Sequence, residues 1–190
     1  MGEALWEDQM RIEKSDFEGI LKIFPDVHRD NRGLFAELWQ VTRYEDLWPE
    51  VTFVQDNFSV SKKGTLRGLH FQKRHPQGKL ITVLSGEIFD VALDLRKNSQ
   101  TFGRVYSTKL SSEDLCQLYI PEGFAHGFLT LSDTACVFYR CTDFYHPEDE
   151  GAILFNDANL GIHWPDVGEL TISDKDRRAM SFFEWRKSTL

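Results

Sequence analysis

The chain has 190 residues, 41% hydrophobic and 13% aromatic, which suits one domain with a sizeable buried core. With 30 acidic against 22 basic residues the formal charge is −8, so nucleic acid is repelled at long range and an anionic ligand needs a local cluster of cations. No apolar run approaches the roughly 18 residues of a membrane span, and the opening MGEALWEDQMRIEK lacks both a basic start and an apolar centre. Trp6 breaks the myristoylation pattern and the final KSTL is no prenylation signal. These features predict a soluble, cytoplasmic protein with no membrane and no nucleic-acid partner. Cys116, Cys136 and Cys141 are an odd set without C-x-x-C spacing, which speaks against a disulfide framework or a zinc knuckle.

In chain order, a helix is predicted at RYEDLW (43–48) and a strand within VTFVQDNFSVS (51–61). TLRGLHFQKRHPQGKL (65–80) follows, with strand-like flanks but an unusual density of polar groups. Short β-rich runs come next: LITVLSG (80–86), EIFDVALDL (87–95), RVYSTKL (104–110), CQLYI (116–120), GFLTL (127–131) and ACVFYRCTDFY (135–145). A helical segment is predicted at SDKDRRAMSFFEWRK (173–187), opened by the S-x-x-D capping pattern of Ser173 and Asp176. Many short strands punctuated by Gly and Pro indicate an all-β sandwich or barrel.

Alternation sharpens the reading. In 53–61 one parity carries Phe53, Gln55, Asn57 and Ser59 and the other Val54, Asp56, Phe58 and Val60, so neither face is cleanly apolar. In 137–145 Tyr139 and Tyr145 share a face. A small barrel whose inward faces mix aromatics with Gln, Asn and Tyr encloses a ligand in place of a dry core. On an unbroken strand Arg67 and His70 would point to opposite faces. Gly68 offers a way out, because a glycine within a strand often marks a bulge that re-aims the next side chain. HPQG (75–78) then reads as a turn, with Lys79 opening the next strand.

RGLHFQ…QGKL, GEIFDVALDLRKNSQTFG, IPEGFAHGFLTLSD, EGAILFNDANLGIHWP, DNRGLFAE and FVQDNFSVSKKGTLRG closely resemble the dTDP-4-dehydrorhamnose 3,5-epimerase family of the cupin superfamily. The resemblance runs in order from about Phe24 to Asp176. It divides the single domain into an N-terminal extension (1–21), a core (22–176) and a C-terminal tail (177–190). The resemblance implies an all-β, cupin-type jelly-roll barrel with short peripheral helices and a C-terminal helical segment, usually homodimeric. The implied reaction converts dTDP-4-dehydro-6-deoxy-D-glucose into dTDP-4-dehydro-L-rhamnose with neither metal nor nicotinamide.

By resemblance His70 is the base, and imidazole is the side chain whose ordinary charge change lies near neutral pH. Asp176 is the carboxylate that orients it, although the residues alone leave open that Asp176 only completes a helix cap with Ser173. Tyr139 corresponds to the proton donor, and Lys79 to the cation beside the C4 oxygen. Arg67 and Arg32 are candidates for the diphosphate. Glu37, Gln55, Asn57, His126, Tyr145, Glu150 and Lys175 are expected along the substrate path, with Tyr145 able to stack on thymine and with Arg32, Glu37 and Asn57 partly serving a neighbouring subunit. The H-x-H pattern of metal-binding cupins is missing, since Phe71 and Gln72 follow His70, so no metal is expected. Two other functions stay open: a single-position epimerase or ketoisomerase on another dTDP-4-keto sugar, and a cupin that binds a sugar nucleotide without turning it over.

Overall fold

The computed structural model describes residues 10–188. Its strands are β1 (Arg11–Lys14), β2 (Leu21–Phe24), β3 (Val27–Asp30), β4 (Gly33–Ala36), β5 (Gln55–Lys62), β6 (Thr65–Gln72), β7 (Lys79–Ser85), β8 (Glu87–Asp94), β9 (Val105–Ser111), β10 (Gln117–Ile120), β11 (Phe124–Thr130), β12 (Thr134–Cys141), β13 (Glu150–Ala152) and β14 (Thr171–Ile172). Three short α-helices accompany them, α1 (Val41–Tyr44), α2 (Asp174–Arg177) and α3 (Phe182–Ser188), with 3₁₀ turns at Pro147–Asp149 and Ala158–Leu160. One sheet has the order β1-β2-β10-β7-β12-β5. The other runs β13-β6-β11-β8-β9, with β14 parallel to β6, and β3-β4 form a separate hairpin.

The inner core explains why the two sheets stack. Ile81 and Val83 of β7, Leu118 and Ile120 of β10, and Ala135 and Val137 of β12 meet Ile88 and Ala92 of β8, Leu110 of β9, and Phe124 and Phe128 of β11. Where a strand contributes two residues they are two or four apart, which puts both on one face of the pleat. The two outer faces are also covered. Leu69, Phe71, Val91, Leu93 and Ala125 lie under Ile153, Leu160 and Trp185, while Ile23, Leu80 and Tyr119 lie with Tyr44 under Trp39, Trp48 and Phe53.

The described part of the segment read as an extension is built into this sheet: β1 pairs with β2, β2 pairs with β10, and Phe17 and Ile20 are buried in the inner core. Trp185 likewise ties the C-terminal tail to the outer cluster. The predicted helix at 43–48 forms two residues earlier, because the Gln40 side chain caps it by accepting from the Arg43 N–H, and it gives way to a turn after Tyr44. The predicted terminal helix is two helices. Between them Met180 leaves helical geometry to bridge Ile153 in parallel, its carbonyl accepting from Leu154 N–H at 2.8 Å. A tertiary pairing there overrides helical propensity.

Strand β5 resolves the mixed parity seen in the sequence. Its polar set, Gln55, Asn57, Ser59 and Ser61, turns inward, while Val54, Phe58 and Val60 are 40%, 62% and 56% exposed. The usual arrangement is inverted because the inner face here lines a cavity.

Candidate active site

The cavity depends first on β6. Its pairing with β11 runs His126 to His70 and then Phe128 to Arg67, so β6 carries one more residue than its partner between those points. Gly68 stands at this bulge with φ of +109°, and a Cβ there would lie 2.5 Å from the His126 carbonyl oxygen. Only glycine allows this turn at this separation. The consequence is the one the sequence suggested: Leu69 and Phe71 pack outward, while Arg67 and His70 both line the space between the sheets.

That space has two lobes. The outer, of about 270 Å³, is bounded by Gln55, Asn57, Gln72, Gln77, Tyr145 and Glu150. The inner, of about 240 Å³, is bounded by Ser59, Arg67, His126 and Phe128. His70, Lys79 and Tyr139 line both and form the waist. They come from three strands, β6, β7 and β12, held in fixed register by the sheet ladders.

His70 Nε2 lies 2.6 Å from Oδ1 of Asp176, a carboxylate buried to 4% side-chain exposure. Burial alone would push this carboxyl up, but the His70 ring, the Gly68 N–H and the Ser173 side chain outweigh it and hold it below its ordinary value. Both sequence readings of Asp176 are present geometrically. The Ser173 hydroxyl caps α2 by accepting from Asp176 N–H at 3.1 Å, while the Asp176 side chain reaches His70. The cap sets the backbone of Asp176 and leaves its carboxylate to meet the ring.

Lys79 is half-buried, and its loss of hydration lowers its pKa, opposed by the negative potential of Cys141, Asp90 and Glu150. Burial raises that of Tyr139, so its phenol holds its proton. Among the described residues neither the Lys79 ammonium nor the Tyr139 hydroxyl has a hydrogen-bond partner, so both are free to meet a ligand. Around the rim Tyr145 O–H donates to Glu150 Oε2 at 2.8 Å, and Lys175 pairs with the same oxygen. Tyr145 N–H donates to Gln55 Oε1 at 2.8 Å, and Gln55 in turn donates to Asn57 Oδ1 at 3.0 Å. In the inner lobe Arg67 donates to Ser61 Oγ at 3.0 Å, and His126 Nε2 meets Asp90 Oδ2 at 2.8 Å.

Two expected residues stand elsewhere. Arg32 sits on the β3-β4 hairpin, exposed and paired with Asp30, and Glu37 pairs with Arg43 at 3.3 Å. Neither lines the cavity with His70. Residues absent from the sequence reading also contribute. Gln72 donates to the carbonyls of His75 and Phe144 at 2.6 and 3.0 Å and accepts from His146 N–H at 2.6 Å, joining the two rim loops. Asp149 receives both backbone N–H groups of Arg74 and His75. Gln72 was legible, sharing the parity of His70; Asp149, in a loop, had no such signal. The histidines are dispersed: His70 is with Asp176, His126 with Asp90, and His75 stacks on His146 at 4.2 Å. Among the described residues no three His, Cys, Asp or Glu side chains form a metal-binding group, and no helix is long and apolar enough to cross a membrane.

The arrangement fits a known family. The model of the dTDP-4-dehydrorhamnose 3,5-epimerase family matches residues 14–184. The dTDP-4-dehydrorhamnose 3,5-epimerase of Methanothermobacter thermautotrophicus is 50% identical over 171 residues, 89% of this chain and 92% of that one. Among solved structures, dTDP-6-deoxy-D-glucose-3,5-epimerase from Legionella pneumophila, in complex with dTDP-4-keto-L-rhamnose, superposes with a TM-score of 0.88 at 47% identity, covering 91% of this chain and 93% of that one. A 3'-monoepimerase from Streptomyces bikiniensis in complex with dTDP-quinovose gives 0.87 at 31%, covering 93% and 90%. The fold is thus the cupin jelly roll, and a likeness that runs nearly end to end makes this chain a member of the dTDP-4-dehydrorhamnose 3,5-epimerase family.

Proposed function

We propose that the chain epimerises C3 and C5 of dTDP-4-dehydro-6-deoxy-D-glucose, giving dTDP-4-dehydro-L-rhamnose. The observation that carries this is the waist: a histidine backed by a buried carboxylate, an ammonium and a phenol around one space open to two lobes. The C4 ketone acidifies the hydrogens on both neighbouring carbons. With Nε2 of His70 donating to Asp176, Nδ1 keeps a lone pair for the carbon-bound proton. As the C–H bond breaks, its electrons move into the ketone to form an enolate, Lys79 stabilises the oxygen, and Asp176 stabilises the imidazolium. The Tyr139 hydroxyl gives a proton to the opposite ring face, the enolate collapses to the ketone, and exchange with water resets both groups. The scheme runs on side chains and the substrate's own carbonyl.

In this reading Arg67 holds phosphate oxygens and Tyr145 offers an aromatic face to thymine. They line different lobes, so a dTDP-sugar touching both lies across the waist and not along one lobe. A homodimer accommodates the remaining residues. Phe58 and Val60 are exposed on β5, the edge of its sheet, as is Val54 just before it, and Leu34 and Phe35 on the hairpin are 50% and 70% exposed. A second copy covering these faces would bring Arg32 and Glu37 toward a cavity they do not reach in their own chain. Sedimentation equilibrium showing a monomer at working concentrations would overturn that part.

The Streptomyces bikiniensis monoepimerase shares this fold closely, which keeps single-position epimerisation as the second reading. Incubation with the dTDP-4-keto sugar in heavy water separates the two. Deuterium at both C3 and C5 is expected; label at one carbon selects the second reading, and label at neither leaves a binding protein.

A further inference from the structure

Beneath the inner lobe lies a charged group that the scheme above does not use. Asp90 follows the inward parity of β8, between Ile88 and Ala92 of the inner core, and is fully buried. A carboxylate at such a position costs several kcal/mol unless paired, where an aliphatic residue would simply fill space. Its hydrogen-bond partner is His126 on β11, with Nε2 at 2.8 Å from Oδ2, and its other oxygen has no partner among the described residues. The pair is not needed to join the two strands, since β8 and β11 are already paired from Phe124 with Asp94 to Thr130 with Ile88.

What surrounds the pair is the reaction space. His126 lines the inner lobe with Arg67 and His70 from β6, Lys79 from β7 and Tyr139 from β12. Lys79 faces the negative potential of Cys141 from β12, Asp90 from β8 and Glu150 from β13, and the phenol of Tyr106 on β9 also feels Asp90. Lys79 is half-buried and has no hydrogen-bonded counter-ion among the described residues, and a cation so placed needs nearby negative charge to stay protonated.

We propose that Asp90 is a positioning residue of this epimerase: its carboxylate fixes the His126 ring through Nε2 and sets a negative charge beneath the lobe that Lys79 lines. This rests on the epimerase reading. A neutral His126 with its Nε2 proton directed at Asp90 presents Nδ1 as an acceptor, and a charged one presents a donor. In both states the ring plane is set by Asp90 and not by the ligand. His126 therefore meets substrate in a pre-set orientation, with no reorganisation during turnover.

Asp90→Asn tests this, because the amide oxygen can still accept from Nε2 while the charge is gone. The expected variant is folded, with kcat lowered roughly 10- to 100-fold, KM changed far less, and the alkaline limb of the kcat profile moved to lower pH because Lys79 discharges sooner. A folded variant with wild-type kcat and an unmoved alkaline limb overturns the proposal. A second measurement needs neither turnover nor the variant: nitrogen NMR of the histidine rings in the wild-type protein. Nε2 of His126 is expected to carry a proton at every pH from about 6 to 9; a ring protonated only at Nδ1 overturns the proposal. A wild-type chain that leaves dTDP-4-keto sugars untouched would remove the epimerase reading without affecting the tautomer result.

Discussion

Gly68→Ala attacks the feature on which the cavity depends. A Cβ at this position would lie 2.5 Å from the His126 carbonyl oxygen and 2.6 Å from the Cα of Gly127. Both are backbone atoms of the neighbouring strand, so no side chain can swing aside. The φ of +109° adds a conformation that L-residues rarely adopt. A strained backbone costs about 1–3 kcal/mol and overpacking about as much again, for a total of about 2–6 kcal/mol. That is a large part of the roughly 5–15 kcal/mol that holds a typical domain folded. The chain can relieve the clash by parting β6 from β11 or by giving up the bulge, and loss of the bulge returns Arg67 to the face opposite His70. Equilibrium urea unfolding followed by tryptophan fluorescence should show the lost stability. Molecules still folded should lose roughly 100-fold in kcat/KM, the scale expected when a reacting group is displaced by about 1 Å. Gly127→Ala meets the same contact from the other side, its Cβ 2.5 Å from the Arg67 carbonyl oxygen, and should behave alike. A Gly68→Ala protein within 1 kcal/mol of wild type and with normal turnover would refute the idea that this close approach builds the site.

Asp176→Asn removes a charge-assisted bond of 2.6 Å to His70; with such bonds contributing about 1.5–3 kcal/mol, kcat should fall about 10- to 150-fold while dTDP binding holds. A change below threefold would remove Asp176 from the mechanism. Tyr139→Phe should still allow label from heavy water into the sugar but block completed inversion, and equal loss of both would mean the phenol is not the returning acid. Asp94 gives a stability prediction. Burial would raise its carboxyl, but Arg96, Ser99 and Thr101 hold it at about 2. A folded pKa below the unfolded one makes its contribution present above about pH 4 and lost as pH falls toward 2, on the order of 1–2 kcal/mol after solvent screening. Asp94→Asn should flatten the acid limb of a stability-against-pH curve; an unchanged limb would rule the cluster out as its source.

The strands from β5 to β12 were legible in the sequence because alternation and glycine punctuation are local signals, and the bulge at Gly68 because Arg67 and His70 demanded it; the short β1–β4, β13 and β14, of two to four residues each, are too brief to show a period and went unpredicted. The helical segments were less so. Their ends depend on partners remote in sequence, such as the pairing of Met180 with Ile153. The inverted face of β5 shows how far parity reaches: it separates Gln55 and Asn57 from Val54 and Phe58, but which set turns inward is decided by the opposing strands.

The same limit explains Asp90. EIFDVALDL carries a visible anomaly, an aspartate on the parity of Ile88 and Ala92, and composition alone would assign it to solvent. Burial turns that anomaly into chemistry. Asp176 and Asp90 each sit beneath a histidine, at 2.6 and 2.8 Å. The first is announced by a capping pattern and the second by nothing but its intrusion on an apolar face. A charge that breaks the period of a core strand is therefore as good a pointer to this cavity as the polar cluster around Gly68, since both are costly to a fold unless something between the sheets requires them.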